Sequence, residues 1–330
     1  MQCRCHVCWP CLFLSLRLAS PAAVNADELD GLKVGVQADG RIVVPTNQII
    51  KPAGKQITFP GRPVDLAFAE DGKTLVVKNM RDLVFIDVAT AKVKQTLALP
   101  SKRGFSVVGL IVRANKAYAS DARDSIRIAS RGEDGSYAWD TGIALRKPAV
   151  GGLAHGAGLA FAGKDELLAL STRGNSVQRI TPTSGLVEQV IPVGVAPYMI
   201  RLAGPDRAYV TNWGGDPPAE GDARAKSSKS PIRIDPRTGV ANHGSVSVLR
   251  RADGQWKQTK TVRVGLHPSG MVLSPTGLYL YVANANSDSI SVIGTRTDTV
   301  VETISCRPQA GLPLGSGPNA VAVSADGLRL

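Results

Sequence analysis

The residues best suited to metal ligation, acid–base work or nucleophilic attack are few. The 330-residue chain has four histidines and five cysteines. Cys3, Cys5, His6 and Cys8 stand in "CRCHVC", with Cys11 close behind. That spacing is permissive for a metal, but structural zinc wants a folded second half to supply ligands, and "CHVC" is not the Cys-x-x-Cys-His pattern of haem attachment. His155 stands in "LAHGAGLAF" and His267 in "GLHPS", while His243 closes a polar, proline-rich stretch. "HGAG" resembles oxyanion-hole glycines, yet no nucleophile accompanies it. The chain has no Gly-x-Ser-x-Gly elbow, His-Glu-x-x-His pair, phosphate-binding loop or dinucleotide fingerprint. No catalytic residue, metal or cofactor is assigned from the sequence.

The elements that must position these side chains come from a repeat. "GLHPSGMVLSPTG" precedes Tyr281-Val282-Ala283-Asn284, and "GVAPYMIRLAGPD" precedes Tyr209-Val210-Thr211-Asn212. "GRPVDLAFAEDGKTLVVKN" runs from Gly61 to Asn79, and "GPNAVAVSADGLRL" runs from Gly317 to Leu330. Degenerate copies end at Asp121 and Ser171. The marker positions 79, 121, 171, 212 and 284 recur at roughly 40 to 50 residues, once an insertion of about thirty residues at 213–243 is set aside.

Within the best copy the side chains alternate with period two. Short β-branched runs are separated by Gly, Pro, Asn and Asp, which reads as strands joined by hairpins. Pro63, Pro197, Pro268 and Pro318 stand at the start of each unit, where a strand can accept proline. Four strands per unit around an axis is an all-β fold, a β-propeller of four-stranded blades. Blades are expected at about 61–103, 104–150, 151–193, 194–264 and 265–310, with a sixth opening at Gly317. Loops leading into innermost strands tend to rim the central channel, so His155, Tyr198, His267 and Asn319 are the channel-mouth candidates. Taken singly, each of them more readily fills its loop or satisfies a neighbouring carbonyl, since position alone is a fold-level warrant.

Tyr-Val-Thr-Asn at 209–212, the Gly-x-x-Pro lead-ins and the "SADG" and "SPTG" turns resemble the YVTN-type β-propeller repeat over residues 41–330. The stretch from Thr211 to Leu249 and the stretch from Gly40 to Phe68 are similar to parts of secreted bacterial proteins that join such a propeller to a C-terminal phosphoesterase domain of the alkaline-phosphatase superfamily. The resemblance implies a seven-bladed parent, of which this chain holds about five complete blades and the start of a sixth. Arg41 to Phe59 would be outer-strand material awaiting C-terminal partners. It also implies that metal ligands and nucleophile lie in a separate domain, and that this domain is a partner of the propeller.

Composition narrows the setting. Residues 1–26 carry Arg4, an apolar run from Val7 to Leu16 and a small-x-Ala site at Val24-Asn25-Ala26, which resembles a secretory signal peptide. The expected organisation is thus a signal at 1–26 and a propeller over 27–330, placed in the periplasm or outside the cell. The apolar run is too short for a membrane span. Cleavage would leave Cys306 alone, with no intrachain disulfide. The formal charge is +12, and without residues 1–26 it is +10, from 37 basic and 27 acidic side chains. Such a surface attracts polyanions, including envelope polymers, but without a recognition motif nucleic acid is an unlikely partner. Trp213, Arg224, Lys226, Lys229, Arg233 and Arg237 make the insertion a second candidate surface, since long loops are usually functional or disordered. Trp213 and Trp256 could be recognition aromatics or interblade packing.

Three readings follow. The first is a noncatalytic binding or docking module. The second is a propeller enzyme of lactonase or metal-dependent hydrolase type, which would want several inward-facing ligands on the inner strands, where Asp65 is the only acid. The third is a polyanion- or nucleic-acid-binding ring, which would want basic and aromatic residues on one face.

Overall fold

The computed structural model describes residues 31–45, 48–51, 54–100, 104–227, 230–309, 311 and 313–330. The signal-like segment, its cysteines and His6, and Lys229 lie outside the described residues. The chain divides into two compact units at residues 58 and 59. In the first, Gly35–Val36, Ile42–Val43 and Ile49–Ile50 pair antiparallel as a three-stranded sheet of their own. The stretch expected to be outer-strand material thus pairs with itself and with Gly35–Val36.

The second unit is built, among the described residues, from five blade sheets in chain order and one two-stranded sheet in the insertion. Blade 1 comprises Pro63–Phe68, Thr74–Asn79, Asp82–Asp87 and Lys92–Ala98. Blade 2 comprises Phe105–Arg113, Lys116–Asp121 and Ser125–Arg131, its outermost place shared by two short strands, Tyr137–Trp139 and Ile143–Ala144. Blade 3 comprises Gly156–Gly163, Glu166–Ser171, Ser176–Thr181 and Leu186–Pro192. Pro197–Leu202, Arg207–Asn212, Gly244–Ala252 and Gln255–Val264 form blade 4, and Pro268–Leu273, Tyr279–Asn284, Ser289–Gly294 and Thr299–Ser305 form blade 5. The innermost strands pack one on the next, blade 1 on 2 through blade 4 on 5. On the inner strand of blade 1, Leu66 and Phe68 remain exposed. Gly317 to Leu330 forms a turn at 324–327 and no strand, and is tied to blade 5 by the Gly270 amide donating to the Asn319 carbonyl at 2.9 Å.

The five marker residues, Asn79, Asp121, Ser171, Asn212 and Asn284, each end the second strand of a blade. Their polar side chains explain the repeat. Asn212 Nδ2 donates to Ser245 Oγ and Ser247 Oγ at 3.1 and 3.0 Å, and Asn284 Nδ2 donates to Ser289 Oγ and Ser291 Oγ at 3.2 and 2.9 Å. Each amide also lies against the glycine that opens its own unit. A Cβ at Gly194 would stand 2.6 Å from the Asn212 side chain, and one at Gly265 would stand 2.7 Å from that of Asn284. Glycine and asparagine are therefore one device, separated in sequence and touching in space.

The core lies between sheets. Phe85 of blade 1 stacks on Tyr137 of blade 2 with ring centroids 4.0 Å apart, and Leu168, Leu170, Ile200, Val210 and Trp256 join blades 3 and 4. Glutamines fix the register of these faces. Gln95 accepts from the Tyr137 amide and donates to its carbonyl at 2.8 and 2.7 Å, and Gln189 does the same to Trp256 at 3.0 and 2.8 Å. Trp256 is fully buried and donates through Nε1 to Glu166 at 2.8 Å, so it is an interblade packing residue. Between blades 4 and 5, Asp298 takes Arg207, Arg250 and the Tyr209 hydroxyl. Burial, with Asp298 beside it, pushes that phenol well above its ordinary pKa.

The Gly–Asn device is testable. Gly194→Ala should lower unfolding stability by about 1–3 kcal/mol, because Cβ has no room beside Asn212. Gly163→Ala, whose Cβ would come no closer than 3.8 Å to any neighbour, should change stability by less than about 1 kcal/mol. Urea unfolding of the two variants checks this; equal losses would show that the contact is not limiting.

Candidate functional site

The same backbone step leads into every inner strand. The carbonyls of Arg62, Gly104, His155, Ala196 and His267 accept hydrogen bonds from the amides of Met80, Ala122, Thr172, Trp213 and Ala285, each just past a marker residue, at 3.0–3.2 Å. These crossovers recur at the same end of the inner strands, and the place where they gather is termed the mouth. Three of the lead-in residues that are not glycine hold positive φ, His155 at 51°, Ala196 at 55° and His267 at 56°. The left-handed region disfavours residues with a Cβ, and such strain concentrates where surrounding contacts over-determine the backbone. Here the crossover bonds supply those contacts, aided by Asn175 Oδ1, which accepts from the Ala196 amide at 3.0 Å.

The mouth opens on a cavity of about 310 Å³ lined by Met80, Phe105, His155, Arg173, Tyr198 and Trp213 among others. Trp213 is the shared member of two stacks. Its ring centroid lies 4.4 Å from that of Tyr198 and 4.1 Å from that of His267, with interplanar angles of 23° and 24°. Burial pushes the His267 imidazole below its ordinary pKa, which favours the neutral ring, and pushes the Tyr198 hydroxyl up. His155, Tyr198 and His267 are thus brought to one mouth, and Trp213 of the insertion joins them. Asn319 stands beside this group rather than in it. Its exposed side chain lies 3.3 Å from Ser269 Oγ, which also lies 3.2 Å from the His267 carbonyl and has one proton to share between the two.

The described residues of the insertion beyond Trp213 make contacts of their own. The sequence shows no strand alternation before Gly244, yet Arg224–Ser227 and Ser230–Arg233 form a hairpin. Arg233 makes a forked ion pair with Asp222 at 2.8 and 2.6 Å, Arg224 donates to the Ala219 carbonyl at 2.9 Å, and Arg237 is exposed near Asp235. These three arginines do not converge on the mouth cavity. His243 is buried and accepts from the Asp216 amide through Nε2 at 3.0 Å, in a space that only Gly215 leaves open.

Deeper along the axis, the inner strands of blades 1 to 4 surround a second cavity of about 220 Å³ that includes Asp65 and Arg201. Asp65 Oδ2 accepts from the Gly109 and Leu110 amides at 2.7 and 2.9 Å, at the bulge of blade 2's inner strand. Beside it Lys78, wholly buried, donates to the Val108 and Gly109 carbonyls and to Ser106 Oγ at 2.7, 3.2 and 3.2 Å. Burial pushes Lys78 down to about 7 against the pull of Asp65 and Asp121, and burial pushes Asp65 up against the pull of Lys78. The pair serves the joint between blades 1 and 2. Among the described residues no cluster of three His, Cys, Asp or Glu side chains is placed to hold a metal ion, and no helix is long and apolar enough to cross a membrane.

The sequence did not single out Arg173, the cation of the mouth. Its signal was present: the residue two beyond the marker is arginine in blades 1, 2 and 3, as Arg81, Arg123 and Arg173. Only Arg173 is buried.

No protein-family model and no curated protein matches this chain. Among solved structures it is similar to a functionally unknown protein from Desulfotomaculum acetoxidans, at 12% identity and TM-score 0.56, covering 83% of this chain and 77% of that one. It is also similar to the Cps50 (Swd1) β-propeller domain of Myceliophteria thermophila, at 11% identity and TM-score 0.50, covering 82% of each chain. The chain is a β-propeller. Identities this low carry the fold and leave the site to be read from its own residues.

Lys78 gives the propeller a pH signature. Between about 7 and the ordinary 10.5, the unfolded chain keeps a proton that the folded chain has released, so stability rises with pH across that window. The rise should approach about 1.4 kcal/mol per pH unit for one proton. Lys78→Met should flatten it between about pH 7 and 9. Urea midpoints of both proteins across that range check this, and parallel slopes would remove Lys78 as the cause.

Proposed function

We propose that this chain is a noncatalytic β-propeller binding module whose ligand seats at the channel mouth. The observation that carries this is the stack of Tyr198, Trp213 and His267 beside the mouth cavity. Aromatic faces that adjoin an enclosed apolar space bind planar or apolar groups, and the cavity size suits a small molecule. The strained lead-ins at His155 and His267 keep both residues at the mouth. Among the described residues neither the His155 ring nor the His267 ring has a hydroxyl or thiol as a hydrogen-bond partner.

The wider reading extends the sequence resemblance. The module is of the YVTN-repeat type, exported by its N-terminal segment to the periplasm or beyond, and serves as the accessory part of a phosphoesterase. The ordered hairpin at 224–233, with exposed Arg237 nearby, is then the surface for the phosphoesterase domain or a polyanionic envelope ligand.

The test follows the indole N–H resonance of Trp213 in an isotope-labelled sample, assigned with Trp213→Phe. Small aromatic solutes, beginning with benzoate and benzamide, should shift that signal and leave those of Trp139 and Trp256 in place. The same sample should not hydrolyse bis(p-nitrophenyl) phosphate above the buffer rate with added zinc or magnesium. A Trp213 signal indifferent to every solute would refute the mouth as a ligand site, and phosphodiester turnover abolished by His155→Ala would refute the noncatalytic assignment.

A further inference from the structure

The mouth holds a charge that the protein does not neutralise. Arg173 is only 9% exposed. Its Nε and Nη2 are enclosed and have no hydrogen-bond partner. Its guanidinium lies against the lead-in loop of its own blade, where a Cβ on Gly152 would stand 2.6 Å from Nη1. The backbone around it is fixed, because the Arg173 amide donates to the Ala154 carbonyl at 3.1 Å. A buried guanidinium with unmet donors is costly unless an anion completes it. Asp298 pairs with Arg207 and Glu166 with Arg179, each leaving only Nε without a partner, whereas Arg173 has no described carboxylate partner and leaves both Nε and Nη2.

Two more polar atoms at the same mouth are in the same condition. Trp213 Nε1 and His267 Nδ1 are enclosed and unpartnered. Trp213 lines the cavity together with Arg173, and His267 stacks on Trp213. An indole N–H can only donate, and a neutral imidazole can donate from one nitrogen. Around them the lining is apolar, with Met80, Phe105 and Val108. Arg81 and Arg123 hold the matching turn positions of blades 1 and 2 and do not line the cavity.

We infer that the mouth takes a small organic anion, its carboxylate or phosphate held by the Arg173 guanidinium and its planar apolar part laid against Met80, Phe105 and Val108. The fork geometry of a guanidinium matches either oxyanion. The inference rests on the mouth being the ligand site and adds the charge and shape of what binds. Arg173 is a binding residue here, and no bond is made or broken.

The experiment titrates the full chain with benzoate, phenyl phosphate and neutral benzamide, reading the Trp213 indole resonance and calorimetric affinity, for the parent, Arg173→Met and Arg173→Lys. At least one of the two anions should bind more tightly than benzamide, and whichever wins identifies the oxyanion. Arg173→Met should weaken that anion by about tenfold or more, since a hydrogen bond to a charged group is lost, and should leave benzamide unchanged. Without ligand its thermal midpoint should be equal to or above the parent's, because an uncompensated charge has been removed. Arg173→Lys keeps the charge and loses the fork, so it should also weaken the anion while remaining folded; it decides the matter if Arg173→Met does not fold. Benzamide binding as well as both anions, with neither variant altering any affinity, overturns the anion site and leaves the mouth as a ligand site. Silence from all three solutes overturns both.

Discussion

The side-chain amide that closes the second strand of a blade is the contact on which the rest of this structure depends. Asn212 and Asn284 each donate to two serines of the adjoining third strand and lie against the glycine that begins their own unit. Each such bond is worth only about 1 kcal/mol net. Its effect is geometric: the lead-in loop must cross at the end of the second strand, so the residue after the marker can donate to the lead-in carbonyl. Blades 1 to 3 reach the same end with Asn79, Asp121 and Ser171. Asp121 accepts from the Arg123 and Ser125 amides at 2.9 and 3.0 Å, and Ser171 donates to the Ala154 carbonyl at 3.1 Å. Different groups satisfy one constraint, which is why the middle repeats look degenerate as text and regular in space.

Successive blades are then held by a second set of polar clasps. Carboxylates and amides in the turn after the second strand hold the next blade's lead-in: Asp124 Oδ1 accepts from the Ala154 amide at 2.5 Å, and Asp288 accepts from the Gly315 and Gly317 amides at 2.7 and 2.9 Å. Those amide bonds hold the Asp288 carboxyl below its usual pKa. At the periphery, Gln95, Gln189 and the Asp298 group fix the angle between sheets whose contact is otherwise apolar. Hydrophobic faces supply most of the adhesion, and being non-directional they would tolerate sliding. The directional bonds remove that freedom.

The mouth is a by-product of the same repetition. Because every unit crosses at one place, the residues flanking the crossover gather there whatever their type. Blades 3 to 5 use those places for His155, Tyr198, Trp213 and His267, and blade 3 adds Arg173. These residues occupy a scaffold position that the fold provides five times over, so their types are set apart from the fold's stability.

The sequence by itself determined the blade plan. Period-two alternation, proline at strand starts and the recurrence of Asn-like residues placed the second-strand ends at 79, 121, 171, 212 and 284, because local strand and turn chemistry is written in consecutive residues. It also grouped His155, Tyr198 and His267, which the structure places around Trp213 and one cavity, since the repeat assigns equivalent residues to equivalent places. It did not show the hairpin inside the insertion, whose strands Arg224–Ser227 and Ser230–Arg233 are short, polar and held by the Arg233–Asp222 pair rather than by an apolar face. Nor did it tell Trp213 from Trp256. One stacks at the mouth and the other is sealed between blades 3 and 4, a difference set by contacts tens of residues away. Only the tertiary structure decided that Arg173, alone among three equivalent arginines, is buried with its donors unmet, because burial of a charge depends on which neighbours close over it.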